Sequence, residues 1–198
     1  MATDAWLQSL CDRVEKLTGF LPRADIEALV TAAMAAQPGT WVEVGSYHGK
    51  SSVLLGELLR KYHPGQVLYC IDPHKGERGA KERITTDEGT LDAWYANINR
   101  VALRNVCWPH IGTVDDFPLY DDMRITFAFI DALHDRESVL HDARALLPAM
   151  DAGCLMAFHD YGAWEWPGVG EAVQELTGKG GPLKFQYAAG TVAVCEVR

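Results

Sequence analysis

Hydrophobic residues along the chain alternate between short continuous runs and longer stretches that repeat with a helical period. The continuous runs predict buried β-strands, and the periodic stretches between them predict helices. Predicted strands cover 40–44, 67–71, 106–111, 125–130, 154–158, 183–187 and 192–197, and predicted helices cover 50–62, 90–103, 136–147 and 169–176. This alternation is typical of a doubly wound α/β fold, in which helices cover both faces of a seven-stranded, mostly parallel sheet.

Both ends of the chain depart from this alternation. The last two predicted strands are joined by Ala188-Ala189-Gly190, which is too short for a parallel crossover and predicts a C-terminal antiparallel hairpin. Two amphipathic helical patterns within 4–36 predict an N-terminal cap over the mouth of a ligand site. We expect one domain with a helical cap at 1–38 and a core at 39–198, and a polar insertion over 74–89.

Composition limits the classes of partner. The 198 residues carry a formal net charge of −9, which opposes binding to nucleic acid or to an anionic membrane and favours a small-molecule substrate. The chain lacks a signal-peptide pattern and an apolar run of membrane-spanning length, so we expect a cytoplasmic protein. Its five cysteines suggest no disulfide framework. The apolar N-terminal helices could pair two subunits as a homodimer.

The segment W-V-E-V-G-S-Y-H-G-K-S-S, residues 41–52, turns from the first predicted strand into a helix through two glycines. Gly45 can adopt a positive φ, and Gly49 lets the backbone approach a ligand closely. The spacing E-x-G-x-x-x-G differs from the G-x-G-x-x-G motif of dinucleotide-binding folds. Because Glu43 would repel a pyrophosphate, the loop suits a ligand that carries positive charge.

This loop resembles the first motif of the class I S-adenosylmethionine (SAM)-dependent methyltransferases, which has this acid and these glycines. The resemblance implies a Rossmann-like methyltransferase fold with SAM lying across the loop and Asp72, whose carboxylate can accept hydrogen bonds from both ribose hydroxyls. Segment 111–116 is similar to the family segment that closes around the adenine, where Thr113 or Asp115 could accept from the exocyclic amine. The predicted cofactor-binding residues are Glu43, Gly45, Ser46, Gly49, Ser51, Asp72, Thr113 and Asp131.

Two acidic and imidazole-containing stretches follow the fourth and fifth predicted strands. They read I-D-x-x-H from 130 to 134 and F-H-D-Y from 158 to 161. This pair resembles a group of small O-methyltransferases and relatives that includes macrolide-sugar O-methyltransferases and cephalosporin hydroxylase-type proteins. In metal-dependent members, acids at the positions of Asp131, His159 and Asp160 bind magnesium. Because a histidine stands at 159 here, the resemblance implies a divalent metal that is either magnesium or a transition metal, and the requirement for a metal stays open.

Methyl transfer requires that the acceptor be aligned and its proton removed, and Asp131 or His134 could act as the general base. The aromatic residues of segment 161–168 either line an acceptor pocket or anchor their loop to the core. The leading hypothesis is a SAM-dependent methyltransferase that acts on a hydroxyl of a small molecule. The alternatives are an NAD-dependent oxidoreductase, which the glycine spacing disfavours, and a SAM-binding relative with other chemistry.

Overall fold

A computed structural model of the protein describes residues 4–75, 89–120 and 122–198. The helices are α1 Ala5–Glu15, α2 Arg23–Ala35, α3 Lys50–Tyr62, α4 Thr90–Arg100, α5 Arg136–Leu146 and α6 Pro167–Thr177. The strands are β1 Thr40–Val44, β2 Leu68–Ile71, β3 Cys107–His110, β4 Ile125–Ile130, β5 Leu155–Phe158, β6 Leu183–Ala189 and β7 Val192–Val197. Each predicted element is present, and most of the polar insertion predicted for 74–89 lies outside the described residues.

The strands form one sheet in the order β3-β2-β1-β4-β5-β7-β6. The first five strands in this order are parallel, whereas β7 runs antiparallel to both β5 and β6. The doubly wound sheet with a C-terminal antiparallel hairpin is therefore confirmed. Strand order reverses between β1 and β4, and ligands of open α/β sheets bind in the crevice beyond the carboxyl ends of strands at such a point.

Two hydrophobic cores lie on opposite faces of the sheet. Alternate side chains of β4 serve the two cores, since Phe127 packs with the residues of α1 to α4 and Ala128 with those of α5 and α6. This explains why the central strands are apolar at consecutive positions. In the described part of the chain, each helix is too short or too polar to cross a bilayer.

Local sequence fixes where the helices around the cleft begin. Asp135 caps α5, because its side chain accepts a hydrogen bond from the backbone N–H of Ser138 at 3.0 Å. Pro167 occupies the first turn of α6, where its missing N–H costs nothing. Gly49 precedes α3 in a left-handed conformation with φ of 80°.

The two cap helices pack their apolar faces onto α3 within the chain's own core. The Lys50 Nζ atom donates to the backbone carbonyls of Glu15 and Gly19, at 3.3 and 3.4 Å, and so ties the end of α1 to the start of α3. The loop after α1 reaches the cleft through Phe20 and Leu21. The apolar faces that suggested a homodimer are thus buried inside one chain, and the homodimer stays a prediction.

Candidate active site

A cleft of about 2130 Å³ opens at the carboxyl edge of the sheet. Typical small-molecule pockets measure roughly 300 to 1,000 Å³, so this cleft has room for two ligands. Its walls include nine of the residues predicted from sequence, namely Gly45, Ser46, Ser51, Asp72, Thr113, Asp131, His134, His159 and Asp160. The other two predicted residues, Glu43 and Gly49, are buried behind this surface.

The glycine loop is held by backbone contacts. Gly45 has a φ of 90°, and a Cβ atom there would lie 2.0 Å from the backbone oxygen of Asp131. The amides of Ser46 and Tyr47 both donate to Oδ2 of Asp72, at 2.9 and 2.8 Å. The amides that other nucleotide folds offer to phosphate are therefore occupied by a carboxylate. The Asp72 side chain remains 15% exposed, at the wall of the cleft.

Glu43 lies beneath the loop and is fully buried. Its carboxylate accepts a hydrogen bond from the Ser52 hydroxyl, and the Trp94 indole N–H donates to the same hydroxyl at 3.0 Å. Burial raises the pKa of Glu43 to about 7, against the opposing effect of the Ser51 and Ser52 hydroxyls. Glu43 thus joins β1 to the start of α3. The predicted contact between Glu43 and a cationic ligand stays a prediction. The full burial of Glu43 disfavours such a contact.

Beyond β3, Thr113 is exposed to the cleft, and its amide donates to Asp116 at 3.4 Å. Asp115 lies 2.8 Å from His141 Nε2, so α5 closes this end of the cleft. Asp142 also lines the cleft, and burial raises its pKa to about 6. Sequence reasoning did not select His141 or Asp142, since both lie on the polar face of a helix and no motif marks them.

At the ends of β4 and β5, three carboxylates surround one imidazole ring. His159 Nδ1 lies 2.9 Å from Asp131 Oδ1 and 3.2 Å from Asp160 Oδ2, and its Nε2 lies 3.2 Å from Asp25 Oδ2. Burial alone would lower the pKa of His159, but the charge and hydrogen bond of Asp131, with those of the other two acids, raise it to about 12. The three carboxylates around it therefore favour the protonated form of His159.

Asp25 was not predicted from the sequence as a site residue. It lies on cap helix α2 with 2% of its side chain exposed, and it also accepts hydrogen bonds from the backbone N–H and the hydroxyl of Thr191. Those hydrogen bonds, together with the bond to His159, keep its pKa below the usual value despite burial. A single acid among the apolar positions of α2 is the one sequence signal that could have pointed to it.

His134 lies on the other side of Asp160. Its Nε2 is 3.0 Å from Asp160 Oδ2, and its ring stacks on Trp166 with centroids 4.4 Å apart. Burial acts to raise the pKa of Asp160, but the hydrogen bonds from His134 and His159 outweigh it and lower the pKa. The second imidazole of the site is therefore oriented both by a carboxylate and by an aromatic face.

Three residues that follow strand ends around the cleft have a positive φ without being glycine. They are Tyr47 after β1, His74 after β2 and Asp160 after β5, with φ of 44°, 49° and 57°. Such conformations cost free energy and persist where surrounding contacts hold them, which is common at ligand sites. Their positions indicate that the cleft is the functional surface.

A candidate metal centre lies at the same place. Among the described residues, Asp131, His134 and Asp160 offer ligand atoms that all lie within 4.8 Å of one another. The sequence-based ligand set contained His159, but both ring nitrogens of His159 face carboxylates, and His134 takes its place in this cluster. Two carboxylates and one imidazole suit a transition metal better than magnesium, which prefers oxygen ligands.

Aromatic side chains line the outer cleft on two sides. Trp164 is 87% exposed in the loop after β5, and Phe20 of the cap loop is 68% exposed. Phe20 contacts Tyr47 of the glycine loop, with centroids 5.6 Å apart, whereas Tyr161 packs on Phe185 of the hairpin. Trp164 and Trp166 thus line the cleft while Tyr161 anchors the loop, and the lining of an acceptor pocket stays a prediction.

Comparison with known proteins places this geometry in context. A family model described as a methyltransferase domain matches residues 42–161. Similar solved structures include CalS11, a calicheamicin methyltransferase, with a TM-score of 0.68, 16% identity and coverage of 99% of this chain and 94% of that chain. The O-methyltransferase NovP has a TM-score of 0.65 and 16% identity, and the match covers 89% of this chain and 80% of NovP. An O-methyltransferase from Bacillus cereus in complex with SAH has a TM-score of 0.65 and 14% identity, and the match covers 100% of this chain and 93% of that chain. At these identities the structural likeness shows the fold.

Proposed function

Since this chain belongs to the methyltransferase-domain family, we propose that it uses SAM to methylate a hydroxyl of a small molecule. The observation that carries the proposal is that one continuous cleft joins the glycine loop and Asp72 to the Asp131, His134 and Asp160 cluster. A cofactor at the first end and an acceptor at the second would meet within it. The solved O-methyltransferases with this fold support the choice of a hydroxyl.

SAM fits the cofactor end better than a dinucleotide does. The Ser46 and Tyr47 amides are occupied by Asp72, so they are not available to a pyrophosphate. Within the described residues, Asp72 forms no ion pair with a lysine or arginine that would favour a 2′-phosphate. Its carboxylate also accepts from loop amides but stays 15% exposed, so its remaining lone pairs can accept from ribose hydroxyls. The Bacillus cereus structure, whose ligand is SAH, supports the same choice. These features disfavour the NAD-dependent alternative.

Bound SAM supplies an electrophilic methyl group on its sulfonium sulfur. The residues of this chain align the acceptor hydroxyl and take its proton. Asp131 keeps 22% of its side chain exposed at the cleft, and His134 is fixed there by Asp160 and Trp166. Where it does not bind a metal ion, either group can accept the proton. The contact of 2.9 Å between His159 Nδ1 and Asp131 Oδ1 fixes the orientation of the Asp131 carboxylate.

We propose that a divalent transition metal binds Asp131, His134 and Asp160, because these are the described side chains whose ligand atoms converge. Such an ion would lower the pKa of a bound hydroxyl and so assist its deprotonation. Treatment with a chelator should abolish transfer, and manganese or zinc should restore it better than magnesium. Full activity after exhaustive chelation would overturn the metal proposal and leave the methyltransferase proposal intact.

Calorimetry and product analysis test the main proposal. We expect SAM and S-adenosylhomocysteine to bind and NAD not to bind. With radiolabelled SAM and a panel of phenols, sugars and nucleotide sugars, Asp131→Asn should lower transfer to the best acceptor by about 10²- to 10⁴-fold. Asp151→Asn is the matched control, because Asp151 is exposed and its carboxylate forms a surface ion pair with Arg124, away from the cleft.

Three results would contradict the proposal. Tight binding of NAD in place of SAM would favour an oxidoreductase. SAM binding without transfer to any acceptor would favour a relative with other chemistry. Unchanged turnover in Asp131→Asn would remove the catalytic role of this carboxylate.

A further inference from the structure

We propose that Asp25, which the N-terminal cap contributes, is a positioning residue for methyl transfer. It holds the His159 ring by Nε2 and, through the opposite ring nitrogen, fixes the Asp131 carboxylate at the cleft. The catalytic consequence rests on the proposed function, but the contacts themselves do not.

The carboxylate of Asp25 is held in place by contacts other than the one to the His159 ring. Its Oδ1 accepts from the Thr191 amide at 2.6 Å, and its Oδ2 accepts from the Thr191 hydroxyl at 2.8 Å. Gly190 lies directly against it, since a Cβ atom there would be 2.0 Å from Asp25 Oδ1. The turn between β6 and β7 therefore holds the carboxylate in one orientation, with Oδ2 directed at His159.

The His159 ring carries this orientation to the cleft. Only 3% of its side chain is exposed, and its two nitrogens contact Asp25 on one side and Asp131 on the other, at 3.2 and 2.9 Å. Asp25 itself does not line the cleft. An aspartate that orients a histidine from behind is a well-known catalytic arrangement, and here the histidine in turn orients a second aspartate.

A purely structural role is the competing explanation, because Asp25 also joins the cap to the hairpin. Thr191 separates the two roles. Thr191→Val removes one hydrogen bond to the same carboxylate but leaves the bond between Asp25 and His159. Glu27→Gln controls for the loss of a charge from α2, since Glu27 pairs with Arg23 at the surface.

The first test observes the ring directly by NMR of protein labelled with ¹⁵N in its seven histidines. We expect one ring whose Nε2–H is protected from exchange with water, assigned by its loss in His159→Gln. Asp25→Asn should shift or abolish this resonance, whereas Thr191→Val and Glu27→Gln should retain it. If the wild-type protein lacks such a protected resonance, or if Asp25→Asn leaves it unchanged, the proposal is overturned.

The second test uses the acceptor identified with radiolabelled SAM. Asp25→Asn should lower kcat by about 10- to 100-fold while the Kd for SAM changes less than about twofold. Thr191→Val should lower Tm but keep kcat within about threefold. In a His159→Gln background, Asp25→Asn should cause no further loss, because the two residues act in series.

The outcomes separate the two proposals. Equal losses of kcat in Asp25→Asn and Thr191→Val, or additive losses in the double variant, would show that Asp25 is only a structural anchor. If wild-type protein binds no SAM, the proposed function fails, and the NMR result still decides whether Asp25 holds His159. If Asp25→Asn does not fold, the protected wild-type resonance and the kinetics of Thr191→Val give the decision.

Discussion

The two ends of the cleft are built from different parts of the chain. The cofactor end, meaning residues 45–52 with Asp72, is shaped by a glycine turn and by backbone amides that bind one carboxylate. The acceptor end, meaning Asp131, His134, His159 and Asp160, is shaped by contacts between side chains. A main-chain site depends on backbone conformation, whereas a side-chain site depends on the chemical identity of each residue. Substitutions should therefore affect the two ends differently.

The largest effect is expected at the acceptor end. His134→Gln should lower the rate of methyl transfer by about 10²- to 10⁴-fold, because the oriented imidazole beside Asp160 is lost. The Kd for SAM should change little, since the cofactor end is untouched. Steady-state kinetics and calorimetry on the same preparation measure both quantities. A comparable loss of SAM affinity would mean that the two ends are not independent.

Gly45→Ala should give the next largest effect, on stability. The new Cβ would collide with the Asp131 backbone oxygen and force an unfavourable positive φ, so we expect a loss of about 3 kcal/mol in the free energy of unfolding. Gly65→Ala is the control, because Gly65 has a nearly identical φ of 91° and open space around it. The control should lose only about 1 kcal/mol. Equal losses in urea unfolding would show that close backbone approach is unimportant.

Glu43→Gln tests whether the buried acid of the cofactor end is structural. The folded-state pKa of about 7 lies above the value of 4.5 that is usual for a glutamate, so the native protein binds more protons than the unfolded chain between these pH values. Stability should therefore fall as pH rises through this window, by about 3 kcal/mol in total. In urea unfolding of the Glu43→Gln variant between pH 5 and pH 8, the free energy of unfolding should not show the part of this decrease that comes from Glu43.

Glu137→Gln, at an exposed position paired with Arg136, should behave like the wild-type protein in that experiment. A tenfold loss of SAM affinity in Glu43→Gln would instead indicate that Glu43 faces the ligand. The distinction between a main-chain end and a side-chain end would then be weaker than the structure suggests.

The smallest effect is expected for Asp72→Asn. Loss of charge should weaken hydrogen bonds to ribose and to the loop amides, and so raise the Kd for SAM by about tenfold. Asp122→Asn, at an exposed position outside the cleft, should not change the Kd. If Asp72→Asn left SAM affinity unaltered, the ribose contact would have to be assigned to another group.

The same contrast explains how much could be predicted from the sequence. The bounds of β1, β4 and β7 follow directly from the apolar runs, because a strand buried on both faces needs consecutive apolar residues. The positions of the glycine loop and of Asp72 could also be predicted from the sequence, because each directly follows the end of a predicted strand. These features depend on residues that lie close together in the chain or at equivalent strand ends.

The acceptor end could be predicted only in part. The positions of Asp131, His134, His159 and Asp160 follow from strand ends, but which imidazole faces which acid depends on tertiary packing. Asp25 is one of the acids that the His159 ring contacts, and it is separated from His159 by 134 positions. No periodicity or spacing links two such distant residues. The convergence of His134 with Asp131 and Asp160 therefore became visible only in three dimensions.

The hydrogen bonds between Asp25 and Thr191 also constrain biosynthesis. The aspartate leaves the ribosome early, whereas its partner is translated 166 residues later. Until the turn that contains Thr191 packs against α2, these hydrogen bonds to Asp25 cannot form. The Asp25 carboxylate is then not held in the orientation in which it contacts His159. The nascent protein is therefore expected to stay inactive until translation reaches the terminal hairpin, even though the glycine loop is made much earlier.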